Sequence, residues 1–245
     1  MGRAHEVRAA SMAKTAAMKS KQNAKFAKAI YVAAKSGVPD PEMNQALKKE
    51  IERAKKAHIP ADVIKRQIDK AKGGQGGAFT PARYEGFGPN NCMVIVDCIT
   101  DNVNRTFTSV KVAFGRTGFK MGVAGCVSHS FNNKSLFTFK GHTEEEVLEA
   151  MIMAEVDIDD VEVDEEYVTV YGAPGDYSKI REALTAAFGE DLEFEEAETT
   201  WLPQEYVELD PEGLRKFHNF EAMLDEIEDV QDFYHNVSNA NDGEE

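Results

Sequence analysis

The apolar positions of the first 72 residues recur with a helical period. Residues 19–35 are rich in Ala and Lys, place Phe26, Ile30, Ala33 and Ala34 on one side, and meet a stop at Ser36-Gly37. Asp40-Pro41 is the expected N-cap and first residue of a second helix, in which Leu47, Ile51 and Ala54 recur at helical spacing. Pro60 opens a third, whose stripe is Ile64, Ile68 and Ala71. Gly73-Gly74-Gln75-Gly76-Gly77 follows as a flexible linker, so residues 1–77 read as a small helical domain that can be reoriented.

After the linker the period shortens. Met93 to Ile99 is a β-branched run typical of a buried strand. Asp101 is placed to cap a helix with Val103, Phe107, Val110 and Phe114 inward, closing at Gly115 or Gly118. Val127 to Phe131 and Leu136 to Phe139 read as two strands joined at Asn132-Asn133. Thr143 with Glu146 forms a capping box for a helix through Ala154. Strands are expected at 161–163, 167–171 and 192–202, a helix from Ser178 to Phe188 stopped by Gly189, and a last helix after Asp210-Pro211 with Leu214, Phe217, Leu224 and Ile227 inward. Phe233 to Val237 reads as a final strand, and residues 238–245 as a polar, disordered tail. The order predicts an α+β multidomain chain with antiparallel sheets, each carrying helices on one face.

With 245 residues, 42% apolar and 29% charged, the chain is long enough for two or three modest domains. No apolar run approaches the roughly 18 residues of a membrane span, and the start lacks the apolar core of a secretory signal, so no membrane partner and a cytoplasmic location are expected. Cys92, Cys98 and Cys126 contain no C-x-x-C pair and read as reduced core thiols.

The net charge of −15 conceals a strong asymmetry: residues 1–77 carry 17 basic against 7 acidic residues, while residues 141–245 carry 4 against 33. One part attracts polyanions and the other repels them, provided the two do not pair on folding. Lys14, Lys21, Lys28 and Lys35 are spaced by seven, with Lys25 beside them, and so share one sector of a helix. The following helices add Lys48, Lys49, Arg53, Lys55 and Lys56, then Lys65, Arg66, Lys70 and Lys72. A solvated amphipathic face is the other reading of any one such helix. Together they point to phosphate binding, and lysines, being point charges, make it largely independent of base sequence and strongly salt-dependent.

Five strings in order carry a resemblance over nearly the whole chain: Asp40-Pro41-Glu42-Met43-Asn44, Arg53-Ala54-Lys55 with Ile59-Pro60, Arg83-Tyr84-Glu85-Gly86-Phe87-Gly88-Pro89, Asp101-Asn102-Val103-Asn104-Arg105-Thr106 and Tyr234-His235-Asn236-Val237. They resemble the YebC/PmpR family, in a branch similar to the YeeN type, although the family's Gly-His-Ser-Lys-Trp opening is absent. The resemblance implies three domains: residues 1–77, an α+β domain of residues 78–140 with 208–237, and an acidic α+β domain of residues 141–207 inserted into it. It implies a probable DNA-binding transcriptional regulator, or, as in members that act on the ribosome and relieve stalling at proline-rich stretches, a factor binding ribosomal RNA. Carried over by position, it adds Arg83, Asn102, Asn104 and Arg105 to the nucleic-acid-binding set. Asn102 and Asn104 have equal readings as caps, and Tyr84 and Phe87 as packed aromatics.

No cofactor or catalytic site is expected. The glycines at 73–77 lack the Lys-Ser/Thr end of a phosphate loop, the six histidines are scattered, and no G-x-S-x-G string occurs. The carboxylates from Asp157 to Glu166 read as solvated surface. The expectation is a non-enzymatic nucleic-acid-binding regulator of gene expression whose acidic domain faces away from the polyanion or toward a protein.

Overall fold

A computed structural model describes residues 22–73, 79–164, 166–189 and 191–240. The chain divides into two compact units, residues 1–127 with 207–245 and residues 128–206.

The first unit begins with helix α1, described over residues 22–35, then α2 (Gln45–Lys56) and α3 (Ala61–Lys72). Ile30, Ala33 and Ala34 of α1 pack with Leu47, Ile51 and Ala54 of α2 and Ile64 of α3 in a core of their own. The second helix starts four residues later than the Asp40-Pro41 signal predicts. Asp40 instead holds a turn by accepting from the Glu42 N–H, and the cap is Asn44, whose side chain accepts from the Leu47 N–H at 3.1 Å and donates to the Ala33 carbonyl at 2.8 Å. One buried side chain therefore both starts α2 and ties it to α1.

Strands β1 (Thr80–Phe87), β2 (Met93–Thr100), β3 (Lys120–Met121) and β8 (Val230–His235) form an antiparallel sheet in the order β3-β1-β2-β8. Helices α4 (Val103–Thr117) and α7 (Pro211–Asp225) contribute Val110, Phe114, Phe217, Phe220 and Leu224 to the core over Val94, Val96 and Cys98. The last helix and strand thus complete a sheet begun more than a hundred residues earlier. Asn102, rather than Asp101, caps α4, and Gly118 ends it with φ +81°. The inward stripe of α4 is Thr106, Val110, Ala113, Phe114 and Thr117. Val103 and Phe107, expected inside, are 46% and 42% exposed, because the buried seam lies one position round the helix. Gly86 is required by close approach: a Cβ there would meet the Lys120 carbonyl and the Phe114 ring.

The second unit is a sheet of β5 (Asp160–Asp164), β6 (Tyr167–Gly172), β4 (Phe131–Lys140) and β7 (Phe194–Pro203), in that order and antiparallel throughout. Helices α5 (Glu144–Met153) and α6 (Tyr177–Phe188) cover one face, over Phe137, Phe139, Val168 and Val170. The Thr143–Glu146 capping box is present in both directions. Of the two strands expected at 127–131 and 136–139, the first is mostly not strand, since Ser128–Ser130 form a 3-10 turn. Residues 131–140 run as one continuous strand through the expected turn, with Asn132 and Asn133 paired to Leu202 and Trp201. Because β4 bonds to β6 and β7, the inserted unit starts at Ser128 and not at residue 141.

Ser238 to Ala240, expected in a disordered tail, are tied down: the Ser238 N–H donates to the Val207 carbonyl at 3.0 Å and Asn239 bonds both ways with Leu209. Residues 241–245 lie outside the described residues. Cys92 and Cys98 are buried thiols, held up to about 11 and about 12 chiefly by burial, and Cys126 is half-buried.

Candidate nucleic-acid interface

Each cation of the basic face has its own environment. Lys14 and Lys21 lie outside the described residues. Lys28, expected to stand clear of acidic groups, is turned inward: its Nζ donates to Asp229 Oδ1 at 2.6 Å and to the Glu228 carbonyl at 3.2 Å. Lys35 is exposed at the end of α1, with its ammonium 5.8 Å from the Tyr31 ring centre; Lys70 of α3 approaches the same ring at 5.6 Å.

Lys25, Lys49 and Arg53 line a groove of about 500 Å³ between α1, α2 and the start of β8, together with Phe26 and Gln231. Its acidic members are Glu50 and Asp232, and Arg53 bonds to both, at 3.4 and 2.8 Å. Around the outside of α2, Lys48, Lys55 and Lys56 are exposed, and Lys65 and Lys72 are exposed on α3. Lys48, Lys55, Lys65 and Lys72 take part in no ion pair among the described residues. Part of the α2 charge is helix chemistry, since cations in the last turn complement the carbonyl end of the dipole.

The four positions carried over from the resemblance are largely engaged within the fold. Arg83 faces Asp97 across the β1–β2 register and meets it fork to fork, Nε to Oδ1 at 2.6 Å and a terminal nitrogen to Oδ2 at 2.7 Å; this pairing raises the guanidinium pKa. Asn102 caps α4 by accepting from the Arg105 N–H. Arg105 is half-exposed and donates to Asp101 and Asp229. Asn104 is exposed. Tyr84 packs against the core and Phe107, and Glu85 is buried, accepting from the Gly125 and Val127 N–H groups at 3.0 and 2.8 Å. These motif residues hold a loop, a helix start and a strand pair in place.

Sequence reasoning passed over Asp229. It is 4% exposed and accepts from Lys28, Arg105, Thr106 and Thr100, joining α1, α4 and the end of β2 at one carboxylate. Burial pushes this carboxyl up, but the bonds from Arg105, Lys28 and Thr106 prevail and bring it to about 2. Its signal was hidden in an acidic run, Asp225 to Asp229, that reads locally as solvated. Also passed over was Lys111, whose ammonium lies 5.7 Å from the exposed ring of Phe107 on the outer side of α4.

Against known proteins, residues 3–74 match the TACO1/YebC protein N-terminal domain and residues 79–237 match the TACO1/YebC second and third domain. The chain belongs to the TACO1/YebC family. Probable transcriptional regulatory proteins of this family from Pseudoalteromonas translucida and Alteromonas mediterranea are 51% and 49% identical to it, over 97% of this chain and 98% of each relative. A crystal structure of a conserved hypothetical protein from Aquifex aeolicus superposes with a TM-score of 0.75 at 34% identity, covering 91% of both chains. Among TACO1/YebC proteins this chain thus sits beside relatives named as regulators, and its α+β sheets and N-terminal helices are the family's architecture. No described helix is long and apolar enough to cross a membrane.

Proposed function

We propose that this chain is a non-enzymatic regulator of gene expression that binds nucleic acid through backbone phosphates, with duplex DNA as the partner that a role in transcription would require. The observation that carries the reading is the surface of α2, where Lys48, Lys55 and Lys56 are exposed and Lys49 and Arg53 line the adjoining groove. Ammonium groups attract phosphate without reading base edges, so affinity exceeds sequence discrimination. Lys25, Lys35, Lys65 and Lys72 extend the positive surface, whereas Lys28 and Arg83 serve mainly to hold the scaffold.

The predominance of lysine over Arg, Asn and Gln on this surface favours a second reading, ribosomal RNA, which is recognised largely by shape and backbone. One experiment tests both. Fluorescence anisotropy with a 30-base-pair duplex and with a structured RNA, at several salt concentrations, is run beside co-sedimentation with ribosomal subunits. Replacing Lys48, Lys55, Lys65 and Lys72 by Ala is expected to weaken binding and flatten the salt slope by about 0.7 to 0.9 per lost contact. Unchanged affinity in that variant removes the reading. Retention on subunits at salt that releases the duplex moves it from DNA to RNA.

A further inference from the structure

The α5–α6 side of the inserted unit carries an apolar surface that the regulator reading leaves unused. Beyond its acidic first turn, α5 is apolar nearly all round. Val147 and Met151 enter the core, while Leu148, Ile152 and Met153 are 38%, 75% and 79% exposed. A helix with apolar residues on every side is ordinarily covered on every side, and three large ones within six positions are not scattered surface residues. Beside Met153 a groove of about 650 Å³ runs between α5 and α6, floored by Ala150, Ala154, Ala183, Ala186 and Ala187. Small side chains there leave room for another chain to approach the backbone. The ring of His142, stacked on Phe188 at 3.9 Å, borders it.

The rim carries the second observation. Glu146 and Glu149 edge the groove and Glu144 and Glu145 are exposed on the same helix, which contains no basic residue. Residues 128–206 as a whole hold 21 acidic residues against 4 basic ones. Nucleic acid and anionic lipid are repelled by such a rim, and a second copy docked face to face would set two acidic rims together.

We propose that the α5–α6 face docks a protein segment that is helical, apolar along one stripe and rich in Lys or Arg beside it. The stripe covers Met153 and Ile152 and fills the alanine-floored groove, and the flanking cations meet Glu145 and Glu149. This is recognition of an amphipathic helix in a groove, with charge selecting the partner.

The test uses the full chain and an 18-residue Leu/Lys peptide of amphipathic helical pattern, beside an isomer of the same composition with the pattern scrambled. Two double variants are compared with the parent, Ile152→Ser with Met153→Ser and Glu145→Lys with Glu149→Lys; all four positions are at the surface, and thermal unfolding checks that each variant folds. The patterned peptide is expected to bind at least tenfold more tightly than the isomer, to lose at least tenfold in each double variant, and to protect the amides of residues 144–153 and 177–188 from exchange. Smaller ratios, or protection elsewhere, overturn the proposal. So does a dimer of the parent that Ile152→Ser with Met153→Ser dissolves, which would make a second copy the occupant. Duplex affinity measured on the same samples stays unchanged in both variants, so a failure here is distinct from a failure of the nucleic-acid reading.

Discussion

Lys28 and Asp229, 201 positions apart, meet at 2.6 Å with side chains only 16% and 5% exposed. Arg105, Thr106 and Thr100 complete the shell of the same carboxylate, so its charge is compensated from three elements. Removing one partner of such a buried cluster leaves the others uncompensated. Asp229→Asn is expected to lower stability by about 3 kcal/mol, and Lys28→Ala by less, since Arg105 and the threonines still serve the carboxylate. Urea unfolding measures both; a loss below about 0.5 kcal/mol for Asp229→Asn would show the cluster to be incidental.

Acid should weaken the first unit in two steps. Burial among Phe217 and Phe233 lowers the pKa of His235, whose Nδ1 accepts from the Val237 N–H at 3.2 Å. The unfolded chain then binds a proton that the native imidazole refuses, so stability falls as pH drops below the ordinary histidine value of about 6.5. Asp229, near 2 when folded, adds a second loss as pH falls from about 4 toward 2, because its stabilisation is complete only above the unfolded carboxyl value. Urea midpoints from pH 8 to 3 report both steps, and His235→Phe is expected to remove the first. A flat profile between pH 7 and 5 contradicts the histidine assignment.

Arg83 separates scaffold from interface. Its bidentate pair with Asp97 is about one-third exposed, so Arg83→Ala is expected to cost only about 0.5 to 1 kcal/mol. Duplex affinity and salt slope should stay at the parent values. A lowered slope would return Arg83 to the phosphate-contacting set.

Gly86→Ala places a Cβ against the Lys120 carbonyl and the Phe114 ring, where β1 pairs with β3. Relief requires shifting backbone or a core ring, at a cost of about 2 kcal/mol or more. A melting temperature within a degree of the parent would mean the β1–β3 edge is looser than the register indicates.

The inserted unit should fold alone. Its first and last strands pair along their length, with Phe131 opposite Pro203 and the Gln204 N–H donating to the Ser130 carbonyl at 2.9 Å, so its ends are adjacent and its core is its own. Residues 128–206 expressed alone are expected to show a cooperative thermal transition. A non-cooperative melt would mean that the flanking chain completes its core.

Local chemistry made much of this chain legible. Helical spacing and caps announced α3, α5, α6 and α7, because Pro60, the Thr143–Glu146 box, Gly189 and Asp210-Pro211 act within a few residues of themselves. The Lys and Arg surplus before residue 78 was equally plain. What spacing could not supply was which distant groups meet. Asn44 displaced Asp40 as a cap because its amide also reaches the Ala33 carbonyl, and β4 joined the inserted sheet because β6 and β7 complete its hydrogen bonds. Charge was reassigned in the same way: the acidic strip around Asp229 folds back with α7 and β8, pairing with Lys28 and leaving the lysines of α2 at the surface. Residue order specifies helices, strands and net charge, since these depend on near neighbours. Which lysine stays available depends on pairings some two hundred residues long, and those exist only once the sheet has closed.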